Sequence, residues 1–428
     1  MLQPVQRRIG TLVALLVLVA VATACGGSSG STTSTSAAST AAAAASSSNG
    51  PLVVLAASSL KDVFPKLGDA FSKQNGGAKV DFSFAGSDEL ATQIQEGAPA
   101  DVYAADRPGR LAPQVIHDPS LVYVPNWGSG TVSIINPRTY KVIRVVRVGQ
   151  GPQHVVPSWD LRTLWVNNDK GNSLTPIDAI TGAVGAPVDV RDPYNLYFTP
   201  DGASAVVMAS EDRQIVFRDP HTMAIQTTLQ VPCDGVNHAD FSPDGRYMIV
   251  TCEFTSELLK VDVTNHSLLG VLPLPGGMPQ DIKIAPDGQV WYVADMHKNG
   301  LYVLDGDNFK VTGFIHTGRA AHGLTISRDS KTMYVSNRGE GTISLLDLAT
   351  RTIVGRWAIP HGGSPDMGGL DAAGTTLWLS GRNNSEVYAI DTSTGRLRAR
   401  IPVGRGPHGL CVWPQPGRYS LGHTGVMR

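Results

Sequence analysis

MYVSNRGEGTISLLDLATRTIVGRWAI, Met333–Ile359, is the stretch whose reading decides the fold. An apolar run meets a short polar loop, a second apolar run ends in Asp347, and a third follows a turn. The first half of this unit recurs along the chain. The other copies are LVYVPNWGSGTVSIIN from Leu121, TLWVNNDKGNSLTPID from Thr163, AVVMASEDRQIVFRD from Ala205, MIVTCEFTSELLKVD from Met248, WYVADMHKNGLYVLD from Trp291 and LWLSGRNNSEVYAID from Leu377. Anchored on Tyr123, Trp165, Val206, Ile249, Tyr292, Tyr334 and Trp378, the spacings are 42, 41, 43, 43, 42 and 44. A period near 40 with several short strands per unit is the signature of propeller blades. The expected fold is all-β, a seven-bladed β-propeller over residues 119–414.

Each repeat reads as four strands. Pro200-Asp201-Gly202, Pro243-Asp244-Gly245 and Pro286-Asp287-Gly288 turn the first strand into the second. Proline presets φ and glycine accepts the left-handed position. Trp165, Tyr292, Tyr334 and Trp378 share one site in the second strand and read as packing between blades. Innermost strands begin near His154, Asn195, His238, Gln280, His322, Asp366 and His408. The first repeat has no inner strand of its own, and the last inner strand has no second strand after it. The C-terminal strand is therefore expected to complete the first blade, which removes exposed edges.

The inner-strand starts are the candidate site, because a propeller brings them together around its central channel. They are His154, Asn195, His238, Gln280 with Asp281, His322, Asp366 and His408, four of the seven starts being His. Converging imidazoles and carboxylates suit a transition metal, at His154, His238, His322 and His408, or a haem-like cofactor. They also suit acid–base work. Arg319 and Arg405, three residues before His322 and His408, are candidates for a carboxylate or phosphate on a ligand. Polar residues lining a wet channel need only water, and repeats copy residues passively. No HExxH, CxxCH, GxSxG or P-loop pattern occurs, so binding leads over catalysis. Asp305-Gly306-Asp307 lacks a full calcium loop and reads as turn chemistry.

The bulk numbers bound the rest. There are 428 residues with a net charge of −1 and no basic stripe, so nucleic acid is not an expected partner. Glycine and proline number 46 and 28, which suits a turn-rich protein. Arg7 and Arg8 precede an apolar run, Leu12–Ala22, too short for a comfortable membrane span. Ala22-Thr23-Ala24-Cys25 follows. It resembles the lipobox of bacterial lipoproteins, which implies lipidation of Cys25, a membrane anchor and an extracytoplasmic location. Residues 26–50 are almost all Gly, Ser, Thr and Ala, a composition that behaves as a flexible tether. Outside the cytoplasm a Cys233–Cys252 disulfide is possible, the alternative being buried thiols.

Residues 51–106 stand outside the repeat. Leu52–Ala57 and Lys79–Phe84 read as strands, and Ala100–Ala105 as a third. Leu60, Val63, Phe64, Leu67 and Phe71 mark a helix face between the first two, and Glu89–Glu96 a second helix. The stretches AASSLKDVFPKLGDAF and FAGSDELATQIQEGAPADVYAAD, in this order, resemble the start of periplasmic molybdate-binding proteins of ABC transporters. That resemblance implies oxyanion binding by Ser59 and Ser87. It stops near Asp106, so the second lobe has no counterpart and the segment is a truncated α/β solute-binding fragment. A linker, 107–118, leads to the propeller, and residues 415–428 form a C-terminal tail.

Repeats such as Met333–Ile359 resemble the YVTN family of extracytoplasmic β-propellers, over residues 119–414. Relatives of that type include surface-layer proteins, YncE-like periplasmic proteins and haem d1-binding propellers, so the resemblance implies the fold and several functions. The leading expectation is a lipid-anchored scaffold binding a small ligand or a protein at the channel mouth. The others are a metal- or haem-dependent redox or lyase site, and oxyanion capture through Ser59 and Ser87.

Overall fold

The computed structural model describes residues 51–57, 60–61, 63–85, 99–104 and 111–427. The signal, Cys25, the tether, Ser59, Ser87 and the Glu89–Glu96 stretch lie outside these residues. The chain divides into two compact units, 1–107 and 108–428.

In the first unit, β1 (Leu52–Ala57) lies between β2 (Val80–Ala85) and β3 (Val102–Ala104), and both pairings are parallel. Helix α1 (Phe64–Gln74) makes the crossover from β1 to β2. Parallel neighbours need such a crossover, which is why the strand–helix–strand order was readable. Gly68 of α1 sits against the Phe82 ring, where a Cβ would come within 2.7 Å. The expected apolar face is only partly covered: Val63 is 53% and Leu67 37% exposed.

The second unit is a propeller of seven four-stranded antiparallel sheets. The innermost strands of blades two to seven are Pro152–Pro157, Pro193–Phe198, Val236–Phe241, Pro279–Ile284, Ala321–Ile326 and Pro365–Leu370. Cys411–Trp413 pairs with Leu121–Tyr123 and is the inner strand of the first blade, so the C-terminal strand closes the ring. Gly202, Gly245 and Gly288 of the Pro-Asp-Gly turns have φ near +70°, the conformation those turns require of glycine. Asp305 accepts from the backbone and side chain of Asn308, and Asp307 from the Tyr247 hydroxyl, so this triplet is held as a turn.

Apolar cores lie between blades. Trp165 packs with Leu196 and Phe198 of the third blade and with Val190 in the link to it, and Trp378 packs with Val122, Val124 and Ile135 of the first. Burying one such side chain contributes roughly 1.5–3 kcal/mol. Cys233 and Cys252 are joined in a disulfide, and Cys411 is a buried thiol.

Two features position the site. In each of blades two to seven the inner strand slips register against its neighbour at the candidate positions, between Pro152 and Val155 or Ala321 and Leu324, for example. A bulge of this kind takes a residue out of the ladder and re-aims its side chain. The second feature is the C-terminal segment beyond the closing strand, which folds back onto the inner strand of the third blade. Phe198 N–H donates to the Leu421 carbonyl at 2.9 Å, and His423 N–H to the Leu196 carbonyl at 2.8 Å. Ser420, Leu421 and His423 are buried.

Candidate functional site

The bulges bring the inner-strand side chains to one axis. The rings of His154, His238, His322 and His408 form a closed circuit with neighbouring centroids 5.6, 6.5, 5.6 and 4.9 Å apart. A fifth imidazole, His423, joins from the tail, 5.3 Å from His154 and 5.0 Å from His238. All five are buried. Burial leads the forces that hold each of them below the usual imidazole range, with His322 at about 4 and His408 at about 3. The rings are therefore neutral at physiological pH.

Two carboxylates organise this ring. Asp366 lies 2.7 Å from His322 Nδ1, 2.8 Å from His408 Nδ1 and 2.9 Å from Arg338 Nη2. Burial would raise its pKa, but Arg338 and then the two imidazoles outweigh burial and hold it well below the carboxylate range. Asp281 accepts from Ile282 N–H and Leu324 N–H at 2.9 Å each, and lies 3.3 Å from Lys283 Nζ and 3.6 Å from His423 Nε2. Asn195 donates to Nδ1 of both His238 and His423 at 3.1 Å.

Above this buried layer opens a cavity of about 280 Å³. Of the sequence candidates, Gln280, His322 and His408 line it. His154, Asn195, His238, Asp281 and Asp366 are buried and do not line it. Arg319 and Arg405 are exposed and also do not line it. Arg405 donates to the Gly128 carbonyl, and Arg319 N–H to Glu340. Their positions, three residues before His322 and His408, fall in the loops between blades.

Different residues build the wall. Trp127, Asp169, Ser210, Glu253, Arg338 and Arg382 line the cavity, and each directly follows the second strand of its repeat. The repeat register contained this signal: the position after the second strand lines the mouth in six of seven blades. The inner-strand bulges add Gln153 and Tyr194, and the mouth also carries Lys170, Glu211 and Phe254. Trp127 is 38% and Phe254 65% exposed.

The charges are not evenly spread. Acidic Asp169 and Glu253 stand on blades two and four, and Arg338 and Arg382 on blades six and seven. Lys170 pairs with Asp169 and Glu211, and Arg338 with Asp366. Arg382 and Glu253 make no ion pair among the described residues; Arg382 donates to Gln153 at 3.4 Å, and Glu253 accepts from Asn237 at 3.3 Å. Burial raises the Glu253 pKa, against its hydrogen bond with Gln280 and the charge of Arg338. Arg338 Nε is buried with no hydrogen-bond partner.

Seven blades around a polar channel with a charged mouth define the class, a seven-bladed β-propeller, an architecture on which several functions are built. Within it, this chain belongs to the YNCE-like β-propeller family, which its residues 108–416 match. Residues 52–143 match the bacterial extracellular solute-binding protein family, although residues 121–143 are first-blade strands here. The chain is 52% identical over 54 residues to the molybdate-binding protein ModA of Mycobacterium tuberculosis, covering 13% of this chain and 21% of that one. It is 26% identical over 130 residues to the uncharacterized protein YncE of Escherichia coli, covering 29% and 36%. It thus spans about a fifth of the first of these relatives and about a third of the second. Among solved structures, a functionally unknown protein from Desulfotomaculum acetoxidans superposes with a TM-score of 0.59 at 17% identity, over 69% of this chain and 99% of that one. The likeness is one of fold.

Proposed function

We propose that this protein is a lipid-anchored, extracytoplasmic binding propeller whose channel mouth captures a small zwitterionic ligand. The observation that carries the reading is the pair of uncommitted charges across the mouth, Arg382 on one side and Glu253 on the other. A carboxylate or phosphate on the ligand pairs with Arg382 and with the exposed edge of the Arg338 guanidinium; guanidinium forks suit such groups. An amine on the ligand faces Glu253. Trp127 and Phe254 offer apolar surface beside these groups, as ligand sites generally combine a few polar anchors with aromatic walls. A cavity of about 280 Å³ lies near the lower end of the roughly 300–1,000 Å³ usual for such sites. It suits an amino acid or dipeptide rather than a tetrapyrrole.

The extracytoplasmic placement draws support from the solute-binding family match and from the Cys233–Cys252 disulfide, a bond that persists in oxidising compartments. Anchoring is proposed through Cys25. Among the described residues no helix is long and apolar enough to cross a membrane.

The test is a thermal-shift and calorimetric survey of the full chain with amino acids, dipeptides and their deaminated or amidated analogues. Zwitterions are expected to raise Tm saturably by about 2 °C or more, the response to roughly 1 kcal/mol of binding stabilisation. Arg382→Ala and Glu253→Gln are expected to abolish the shift with little change in the ligand-free Tm. Equal binding by amidated analogues, or an unchanged response in Arg382→Ala, rejects the reading.

A further inference from the structure

Beneath the mouth, three histidines from separate segments meet with no role in that ligand reading. His154 comes from the inner strand of blade two, His238 from that of blade four and His423 from the tail. One ring nitrogen of each lies within 4.8 Å of one on each of the others. Their relative exposures are 0%, 0% and 1%, so they meet away from solvent.

The hydrogen bonds around them leave one buried ring nitrogen without a partner on His154 and on His238. His154 Nδ1 lies 2.9 Å from the Tyr194 carbonyl. A carbonyl only accepts, so Nδ1 carries the hydrogen and Nε2 keeps its lone pair. That Nε2 is buried without a partner, as is His238 Nε2, which carries the ring hydrogen while Nδ1 accepts from Asn195 and ligates only in the other tautomer. His423 Nε2 points toward the Asp281 carboxylate at 3.6 Å, and its Nδ1 accepts from Asn195, a hydrogen bond that a metal at Nδ1 displaces. A carbonyl or carboxylate behind an imidazole is the support that metal-binding histidines use to fix tautomer and orientation. Lys283 is paired with Asp281.

We infer that His154, His238 and His423 form a three-histidine site for a divalent transition-metal ion of the zinc or copper type. Imidazole nitrogen suits these ions, whereas calcium and magnesium take oxygen ligands. Zinc–nitrogen bonds of about 2.0–2.1 Å bring tetrahedral ligand nitrogens to roughly 3.4 Å from one another. The rings therefore close by at most about 1.4 Å on binding, and His423 is the one ligand carried by the tail rather than by a blade strand. Three protein ligands leave a fourth position open to water or another donor. The ion would also pin the C-terminal segment into the channel. This site is separate from the mouth and does not depend on the zwitterion reading.

The experiment loads the full chain, purified without chelator, with Zn(II) or Co(II), dialyses it and measures metal per chain. About one ion per folded chain is expected, with the visible absorption of tetrahedral cobalt and a Zn(II)-dependent rise in Tm. His423→Ala, His154→Ala and His238→Ala are expected to lose at least tenfold in affinity, while His322→Ala and His408→Ala keep the ion. If an inner-strand variant does not fold, His423→Gln on the tail decides, with its fold checked by circular dichroism. No retained metal in the folded wild type, or equal retention by the His423 variants, overturns the site. Loss in His322→Ala as large as in His423→Ala overturns the assignment of ligands. Arg382→Ala is expected to keep the metal and His423→Ala the zwitterion response, so the two readings fail separately.

Discussion

At the scale of the residue, histidines were easy to find and arginines were not. His154, His238, His322 and His408 recur at the start of inner strands, and a residue type repeated at one register position stands out in any sequence with a period. The arginines were sought three residues upstream of the histidines, where the chain is an exposed loop. Arg338 and Arg382 instead follow the second strand, a place that only the packing of the first two strands brings to the mouth. Asp192 was not legible at all. It is 4% exposed and accepts from Glu211 N–H and Asp212 N–H, the latter at 2.9 Å. Burial pushes its pKa up to about 7 against those two donors, and the nearby Asp169 and Glu211 carboxylates add to the rise. An unfolded aspartate titrates near 3.9. Between about pH 4 and 7 the folded state therefore binds the proton more tightly, and stability falls as pH rises through that window. Asp192→Asn keeps an oxygen for the two donors and removes the ionisation, and asparagine tolerates the φ of 48° found there. We expect the variant to exceed wild type by on the order of 2 kcal/mol at pH 8 and by little at pH 4. Denaturant melts at both pH values check this, and a pH-independent difference counts against it.

At the scale of the element, strands and turns were legible because their signals are local. Alternation, Pro-Asp-Gly and the Asp or Asn at the end of each third strand all act within a few residues. Asp347, for example, caps its turn by accepting from Thr350 N–H at 2.7 Å. The tail carried no such signal. Residues 415–428 have neither period nor apolar run, and their place is set by the shape of the channel they enter. Gly422 shows how tight that fit is: its φ is +93°, and a Cβ would lie 2.5 Å from the Leu196 carbonyl. The closing strand, Cys411–Trp413, is short, yet Trp413 is fully buried and donates to Asp118 at 2.9 Å. Trp413→Ala is expected to cost about 3–5 kcal/mol, the usual range for emptying a large aromatic site. Trp357→Ala, on the outermost strand of blade six, is expected to cost much less. Chemical denaturation of the two variants distinguishes them, and equal losses would argue that closure contributes nothing special.

At the scale of the whole molecule, the ring and the N-terminal unit follow different rules. Seven blades closed by the chain's own C-terminal strand bury every central edge, as closed β-architectures must. The first unit has a three-stranded parallel sheet and one described helix, and its likeness to ModA covers only 54 residues. The proposed anchoring belongs to this scale as well, because it would set where the propeller works. Cys25→Ser is expected to move the protein from the membrane fraction to the soluble fraction, with the propeller's melting unchanged. Retention of the variant in the membrane fraction would sink the anchor.

The sequence by itself determined the blade count, the four-strand order within each blade, the closing strand and the ring of inner-strand residues. All of these are written as period or as local turn chemistry, and a repeat states each of them several times. Only the tertiary structure decided which face of that ring meets solvent. It buried His154, His238 and Asp366, opened the cavity at Arg382 and Glu253, and drew His423 in from a tail with no pattern of its own. The physical reason is that such positions depend on how bulged strands from different blades converge in space, and no spacing along one chain encodes that convergence.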